Sequence, residues 1–191
     1  MIWAVVGVLG LLVLGAAALA PSETTEVRPD PSKKKPRART SAPKRRVFFS
    51  FHYQRDIWRV NQVRNAGVAD ASAAAGWSDA SLWEETRKKG DVAIKRLIDE
   101  GLNGTTVTAV LIGSRTAKRK YVTYEIEQSL KQGNALIGIR IHKLANQDGK
   151  IDEPGDVPEA LERAKAPVYD WDREDFGAWV QKAYRRARKG A

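Results

Sequence analysis

The sequence predicts an α/β domain, a parallel sheet with helices on both faces, preceded by a single transmembrane helix. The first 20 residues are almost wholly apolar, and the next 25 are rich in basic residues and proline. From residue 46 onward, apolar strand-like runs alternate with amphipathic segments of helical period. Strands that are separated by helices imply a parallel sheet covered on both faces. We therefore divide the chain into a transmembrane helix (1–20), a linker (21–45) and a folded domain (46–191).

The N-terminal run from Ile2 to Ala20 has neither a charged residue nor a proline. As a helix it would reach roughly 28 Å at about 1.5 Å per residue, close to the ~30 Å hydrocarbon core of a bilayer. A cleaved signal peptide is the alternative, because Ala18-Leu-Ala20 resembles a cleavage site. A retained anchor is favoured, since no basic residue precedes the run, the run is long, and Pro21 would begin the mature chain.

The linker, residues 21–45, contains five prolines and almost no large apolar residue. Counted through Arg46, it has nine basic and three acidic residues. Basic residues directly after the span, with none before it, predict a single-pass protein of the inner or cell membrane whose C-terminal domain is cytoplasmic. The same cluster should attract anionic lipid. Nucleic-acid binding is the other interpretation of a basic tract, but this one has no aromatic side chain for base stacking, so no nucleic-acid partner is expected.

Composition excludes several kinds of chemistry. The 191 residues include no cysteine, which excludes thiol catalysis, disulfides and cysteine-based zinc sites. His52 and His142 are the only histidines, so a histidine-rich metal site is not expected. The chain has no nucleophile elbow around serine, no dinucleotide-binding glycine motif and no P-loop motif. We therefore expect no metal and no resident cofactor.

The first half of the domain follows from hydrophobic period and turn residues. Residues 46–52 are β-branched and aromatic, which predicts a strand, and residues 56–66 carry apolar side chains at helical spacing. Residues 67–80, rich in Ala, Gly, Ser and Asp, indicate an insertion or a poorly ordered loop. Residues 91–102 are amphipathic and predict a helix. Residues 105–112 are nearly continuous in apolar and β-branched residues, as a buried parallel strand requires.

The second half repeats the pattern. Ser114 or Thr116 is predicted to cap a helix over 117–132, which Gly133-Asn134 ends. A further strand is predicted over 135–141, then a polar loop. The last predicted elements are a short strand over 167–169 and a closing helix that Asp172 caps.

In a parallel sheet of this kind, ligands bind beyond the carboxyl ends of the strands, near the switch in strand order. The first strand ends at 50–53 and the central strand at 113–115, so we look for chemistry there and at the start of the following helix. On that helix Val122, Ile126 and Leu130 form the predicted buried stripe. Glu125 lies at its edge as a candidate acid, base or acceptor for a ribose hydroxyl; an ordinary surface glutamate is the alternative.

Other titratable residues are weaker candidates. Glu127 points away from Glu125, because positions i and i+2 do not share a helix face, and Lys131 can pair with it at i+4. His52 follows the first strand and could act as a base, as a ligand contact or as a structural hydrogen-bond partner. For His142 a structural role is favoured.

Four segments carry a likeness to known proteins: Arg46-Val-Phe-Phe-Ser-Phe-His-Tyr53, Val107–Gly113, Arg119–Glu127 and Leu136–His142. In combination they resemble bacterial TIR-like domains, most closely the TIR-like component of the Thoeris anti-phage defence system. The resemblance implies a flavodoxin-like, TIR-like fold and covers about residues 46–142. The second strand of that family is not apparent, and residues 67–80 occupy its place.

The resemblance also implies a site. NAD-cleaving TIR enzymes carry a catalytic glutamate four residues after an aromatic residue, usually tryptophan; here these are Glu125 and Tyr121. It further implies a substrate pocket lined by residues that follow the first and central strands. These implied substrate-binding residues are Phe49, Ser50, Phe51, His52, Ser114 and Tyr121.

Two classes of function follow from the resemblance. One is a membrane-tethered enzyme, an NAD nucleosidase or ADP-ribosyl cyclase-like protein, with NAD as substrate and a linear or cyclic ADP-ribose product that signals in anti-phage defence. The other is a non-catalytic TIR-like adaptor or ligand-binding scaffold. The partners implied are NAD, the membrane, a second copy of the chain and a downstream effector that binds the signal.

Overall fold

The computed structural model describes residues 45–66 and 80–190. These residues contain a four-stranded sheet in which every neighbouring pair is parallel and the strand order is sequential. The strands are β1 (Val47–Ser50), β2 (Val107–Ile112), β3 (Ala135–Arg140) and β4 (Val168–Asp170). The predicted α/β class with a parallel sheet is confirmed. The predicted transmembrane helix, nearly all of the linker and nearly all of the predicted loop 67–80 lie outside the described residues.

Within residues 45–66 and 80–190, six helices alternate with the strands or follow one another between them. They are α1 (Tyr53–Arg64), α2 (Ala80–Lys88), α3 (Asp91–Leu102), α4 (Lys120–Lys131), α5 (Glu159–Arg163) and α6 (Phe176–Lys189). Within the described ranges, no helix has both the length and the apolar character that crossing a bilayer requires.

The helices cover both faces of the sheet, because successive strand side chains point to opposite sides. On one face Val110 of β2 packs with Val122 and Ile126 of α4 and with Leu161 of α5. On the other face Phe49 of β1 stacks on Phe176 of α6, with ring centroids 6.2 Å apart. The guanidinium of Arg64 lies 6.0 Å from the Phe49 ring, which places α1 on this second face. Ser50, next to Phe49, therefore points toward α4.

The strand order departs from the expectation of a switch point. Among the described strands the order runs β1-β2-β3-β4 without reversal, so β1 lies at an edge. No further described strand lies beside β1, and residues of helices line the crevice at its carboxyl end. Residues 80–88 form α2 there. Ala80 was predicted to belong to the loop over 67–80, and no element was predicted for residues 81–88.

The start of α4 was predicted three residues too early. The helix begins at Lys120, and neither Ser114 nor Thr116 is its cap. The Thr116 hydroxyl instead accepts the backbone N–H of Gly113 at 2.9 Å and is fully buried. Residues 114–119 therefore form a tight turn at the end of β2, which a local helix signal does not distinguish from a helix start.

Two further expectations change with packing. Leu130 was predicted to be buried, but it is 48% exposed, and Ser129 is buried in its place. Ser129 is accommodated because its hydroxyl bonds to Thr108 of β2 at 2.7 Å and donates to the backbone carbonyl of Glu125 at 2.6 Å. Asp172 caps the turn before α6 and not the helix itself, since its carboxylate accepts the backbone N–H groups of Glu174 and Asp175.

Candidate active site

A cavity of about 170 Å³ lies at the carboxyl end of β1. Three pieces of chain enclose it: the β1–α1 junction, α2, and the first half of α4. Its walls combine aromatic rings with a carboxyl group, an imidazole and two guanidinium groups. The lining residues are Phe51, His52, Tyr53, Gln54, Trp83, Arg87, Arg119, Tyr121, Val122 and Glu125.

Glu125 is the buried acid of this cavity. Its side chain projects from α4 toward the end of β1, and the residue is 4% exposed. Ser50, which is fully buried, donates a hydrogen bond from its hydroxyl to Glu125 Oε2 at 2.5 Å. Burial raises the pKa of Glu125 from its ordinary value of 4.5 to about 8, and the Ser50 hydrogen bond opposes that rise only in part. The sequence predicted Glu125 at the edge of the buried stripe, whereas in the structure the residue is buried.

The position of Glu125 is set by the register of the sheet and by α4. Ser50 pairs with Val110, whose side chain also faces α4, so the Ser50 hydroxyl meets the helix directly. One turn further along α4, Ser129 bonds to Thr108 of the neighbouring strand. Two hydrogen bonds thus tie one face of the helix to two adjacent strands, which holds the carboxyl group in one orientation.

Aromatic rings line the cavity together with the carboxyl group. Tyr53 lies 5.9 Å from Phe51 and 5.4 Å from Trp83, measured between ring centroids. Trp83 meets Tyr121 edge to face at 6.0 Å and 88°. The Tyr121 hydroxyl donates to Asp91 at 3.0 Å, which fixes the ring. Four rings from three separate elements therefore support one another around the cavity.

His52 lies at the mouth of the cavity, in the position before the first turn of α1. Its pKa is lowered from 6.5 to about 4, first by burial and then by the positive charges of Arg119, Arg55 and Arg115. The imidazole is therefore neutral at neutral pH. Its Nδ1 atom is buried and makes no hydrogen bond within the described part of the chain.

The family to which this chain belongs follows from a comparison with known proteins. A family model described as the TIR-like domain of Thoeris protein ThsB matches residues 48–146, just over half of the chain. This chain belongs to the ThsB TIR-like domain family. The matched range includes β1 from Phe48 onward, α4 and every residue that lines the cavity, and the resemblance that the sequence predicted is confirmed at this level.

One relative of this TIR-like chain adds a closer comparison. A protein of Bacillus cereus (strain MSX-D12), described as a candidate cyclic ADP-D-ribose synthase, ThsB1, is 53% identical over 116 residues. Those residues are 60% of this chain and 60% of the relative. The match therefore spans less than two thirds of the length of that relative.

The structure of this TIR-like domain brings together most of the site residues that the sequence predicted. Phe51, His52, Tyr121 and Glu125 line the cavity, and Ser50 supports Glu125 from behind. Phe49 does not line it, because alternation along β1 turns its ring to the opposite face, against α6.

Ser114 also lies apart from the cavity. Its hydroxyl donates to Asp152 at 2.8 Å and accepts from Arg55 at 3.0 Å. These bonds join the end of β2 to α1 and to the loop after β3, so the hydroxyl of Ser114 is already engaged within the protein.

Several cavity residues were not predicted from the sequence. Trp83 and Arg87 come from α2, for which no element was predicted, and only tertiary packing brings them to the site. Tyr53 lies within residues 50–53, where chemistry was sought, but it was not named as a substrate-binding residue, and Gln54 follows it directly. Arg119 was noted only as part of a motif. Within the described ranges, no group of three or more His, Asp or Glu residues is arranged to hold a metal ion.

Proposed function

We propose that this domain cleaves NAD at the bond between nicotinamide and ribose and forms a cyclic ADP-ribose-type product, a signal in anti-phage defence. The observation that carries the proposal is the buried carboxyl group of Glu125, facing a cavity walled by aromatic rings. Membership of the ThsB family and the description of the relative as a candidate cyclic ADP-D-ribose synthase support it.

The cavity suits the nicotinamide end of NAD. Its volume of about 170 Å³ is close to that of an engineered cavity of about 150 Å³ that accepts benzene. Nicotinamide carries a positive charge on its ring in NAD, and aromatic faces attract cations. Phe51, Tyr53 and Trp83 therefore provide both the shape and the electrostatic preference that the leaving group needs.

The reaction requires charge stabilisation at ribose. When the bond from ribose C1′ to the ring nitrogen breaks, the electron pair leaves with nicotinamide, which becomes neutral. C1′ then carries oxocarbenium-like positive charge, which a carboxylate beside the ribose stabilises. A nitrogen or hydroxyl group of the adenosine portion forms the new bond to C1′ and loses one proton, giving a cyclic product. Water in the same role gives ADP-ribose.

Glu125 is protonated in the free protein at neutral pH, since its pKa is raised to about 8. Entry of a cationic ring brings opposite charge to the buried group and lowers this pKa. The anion thus forms in the complex, where the reaction uses it. Ser50 holds the carboxyl group through its hydrogen bond, and His52 stays neutral and competes for no proton near pH 7.

The deciding experiment incubates the full chain with NAD, alone and with extract of phage-infected cells, and resolves the products by mass spectrometry. Glu125→Gln keeps the shape and removes the anion, so NAD cleavage should fall by at least ~100-fold. Glu127→Gln is the matched control: Glu127 is exposed on the same helix, and no ion pair within 4.0 Å joins it to a described residue. It should keep nearly full activity.

Other outcomes contradict the proposal. If Glu127→Gln is inactive while Glu125→Gln is active, the assignment of the catalytic carboxylate is wrong. If the wild-type chain and both variants leave NAD intact in both conditions, the non-catalytic adaptor replaces the enzyme.

We also propose that residues 1–20 anchor the domain at the cytoplasmic side of the cell membrane. The support is the uncharged run followed by nine basic residues through Arg46. Protease added to intact protoplasts should leave the domain uncut, and lysis should expose it. Digestion from outside, or a mature chain that begins near Pro21, would contradict the anchor. A downstream protein that binds the cyclic product and self-association of the chain are further predictions of the same proposal.

A further inference from the structure

A second cleft, of about 280 Å³, lies beside the cavity that holds Glu125. It is formed by the turn between β2 and α4 and by the loop after β3. Arg119 lines both spaces, so they adjoin at its side chain. The lining residues of this outer cleft are Ser114, Arg115, Ala117, Lys118, Arg119 and Asp156.

The outer cleft carries an excess of positive charge. Arg115, Lys118 and Arg119 line it, against the single carboxylate of Asp156. Across residues 45–66 and 80–190, none of the three cations makes an ion pair within 4.0 Å. The Nε atom of Arg119 is buried and finds no hydrogen-bond acceptor among the same residues. A buried donor without an acceptor is costly, and an anionic ligand would satisfy it.

Two of the cleft charges, those of Arg119 and Arg115, also act on His52. Burial is the first cause that lowers the pKa of its imidazole, and the positive charges of Arg119, Arg55 and Arg115 lower it further. Because His52 lines the inner cavity, the positive potential reaches the junction of the two spaces. An anion bound in the outer cleft would therefore lie next to whatever occupies the inner cavity.

The walls of the outer cleft are preformed. Ser114 is held by Asp152 and Arg55 through its hydroxyl. The backbone at Gly155 approaches Gly113 so closely that a Cβ there would collide with the Gly113 carbonyl oxygen. The loop after β3 is thus locked against the end of β2, and little reorganisation is needed when a ligand binds.

We propose that the outer cleft is the binding site for the pyrophosphate of the dinucleotide, with Arg119 and Arg115 as hydrogen-bonding cations and Lys118 as a point charge. In NAD, one ribose separates the pyrophosphate from nicotinamide. The outer cleft and the inner cavity adjoin at Arg119, so a dinucleotide with nicotinamide in the cavity can place its pyrophosphate in the cleft. Guanidinium groups match phosphate oxygens through paired N–H donors. This inference rests on the proposed function, because it assigns the second half of the same substrate.

The test measures binding and turnover separately in the full chain. Arg119→Gln and the double variant Arg115→Gln/Lys118→Gln should each weaken binding of ADP-ribose about tenfold or more, since each removes charge-assisted contacts to phosphate. The KM for NAD should rise by a similar factor while kcat stays within about threefold. Adenosine, which has no phosphate, should bind the variants and the wild type alike, and inorganic pyrophosphate should compete with ADP-ribose for the wild type only.

Lys131→Gln is the matched control, because it removes one exposed positive charge from the far end of the same helix. It should leave ADP-ribose binding unchanged. Equal ADP-ribose affinity in wild type and in both cleft variants overturns the inference, as does a loss of kcat with unchanged affinity. If wild type does not cleave NAD but its ADP-ribose affinity depends on these three cations, the proposed catalysis fails while this site stands. Arg115 and Lys118 are exposed, so the double variant tests the site even if Arg119→Gln fails to fold.

Discussion

Two buried carboxyl groups lie near the carboxyl ends of the strands, and they differ in what surrounds them. Asp56 of α1 is fully buried and Glu125 of α4 is 4% exposed. Burial raises both pKa values, to about 6 for Asp56 and to about 8 for Glu125. Asp56 has Arg59 at 3.2 Å, and the charges of Arg59 and Arg55 oppose the rise in its pKa. Among the described residues, the side chain of Glu125 has the neutral hydroxyl of Ser50 as its one hydrogen-bond partner, and it forms no ion pair.

The comparison shows that the partner, more than the depth of burial, separates a structural carboxylate from a candidate catalytic one. Asp56 is enclosed by Arg59 and by the backbone of Gly113, where an added Cβ would collide with its carboxylate. Glu125 faces a cavity that can admit a ligand. A buried acid without a cation destabilises the fold when it ionises, and proteins keep such groups mainly where chemistry needs them.

Asp56 belongs to a network that holds the loop after β3. Arg59 bonds to Asp56 and donates to the backbone carbonyls of Leu144 and Lys150 at 2.9 and 3.3 Å. Arg55 forms an ion pair with Asp152 at 2.8 Å. The loop is therefore fixed to α1 by ionic contacts, while the inner cavity on the other side of the β1 end is enclosed by aromatic rings.

The largest expected effect that distinguishes Glu125 from Asp56 is the pH dependence of NAD turnover. The profile of kcat/KM reports the free protein, so it should rise roughly tenfold per pH unit up to a pKa near 8, that of Glu125. The profile of kcat reports the complex, where the cationic ring lowers this pKa, so its limb should lie at lower pH. Burial and neighbouring positive charges lower the pKa of His52 to about 4, and burial and the hydrogen bond to Asp91 raise the pKa of Tyr121 above its ordinary value of 10.0, so neither of these cavity groups ionises near pH 8. Identical limbs in both profiles would argue against Glu125 as the ionising group.

The next largest expected effect is on the unfolding free energy and concerns Asp56, the acid that is paired with Arg59. Asp56→Ala removes the carboxylate nearest to the Arg59 guanidinium, which is 2% exposed, and leaves it with the more distant Asp152 at 3.8 Å. Breaking a buried pair in this way typically costs about 3–5 kcal/mol of unfolding free energy, which urea denaturation would measure. Glu159→Ala, which removes an exposed pair with Arg163, is the control and should change stability little. Equal small losses in both variants would show that Asp56 is not a structural anchor.

Removing the charge of Glu125, which has no cationic partner, should increase the unfolding free energy at high pH, whereas Asp56→Ala should decrease it. Below pH 4.5 Glu125 is protonated in both folded and unfolded chains, so Glu125→Gln should change the unfolding free energy little. As pH rises toward 8, the unfolded chain ionises while the folded chain does not, and the wild type loses stability. The Gln variant escapes this loss, so at pH 8.5 it should be more stable than wild type by on the order of a few kcal/mol. A destabilised variant at pH 8.5 would contradict the unpartnered environment.

The smallest expected effect tests the close contact beneath Asp56. Gly113→Ala places a methyl group against the Asp56 carboxylate, which must shift away from Arg59. Overpacking of this kind costs about 1–3 kcal/mol, visible as a lower denaturation midpoint with an unchanged m-value. NAD cleavage should change less than in Glu125→Gln, because Gly113 does not line the inner cavity. Full wild-type stability would show that the space beside Asp56 is open.

Hydrophobic periodicity or a continuous apolar run was sufficient to predict the bounds of several helices and strands. The helix over 91–102 was predicted with the bounds that α3 has, and the strands β2 and β3 were predicted within two residues at each end. It failed at α4, where Ser129 replaces Leu130 in the core. A polar side chain can be buried when a partner strand supplies hydrogen bonds, and a pattern based on hydrophobicity cannot contain that information.

The candidate site divides in the same way. The position of Glu125 four residues after Tyr121, next to the end of the first strand, was accessible from the sequence. Trp83 was not, because no element was predicted for residues 81–88 and nothing local in the sequence places α2 beside the end of the first strand. Phe49 and Ser50 were grouped as neighbours in sequence, yet they lie on opposite faces of the sheet. Only the choice of which face receives α4 decides which of the two reaches the site.

By itself, the sequence determined the α/β class, the family and the order of strands and helices along the chain, because these depend on local composition and on motifs of short range. The tertiary structure decided the sequential order of the described strands, the contribution of α2 to the cavity at the carboxyl end of β1, and the environments of the two acids. Burial and charge pairing depend on residues that are distant in the chain. The 75 positions that separate Ser50 from Glu125 are bridged only when the sheet has formed, and that bridge is what converts a glutamate on an amphipathic helix into a buried acid with a raised pKa.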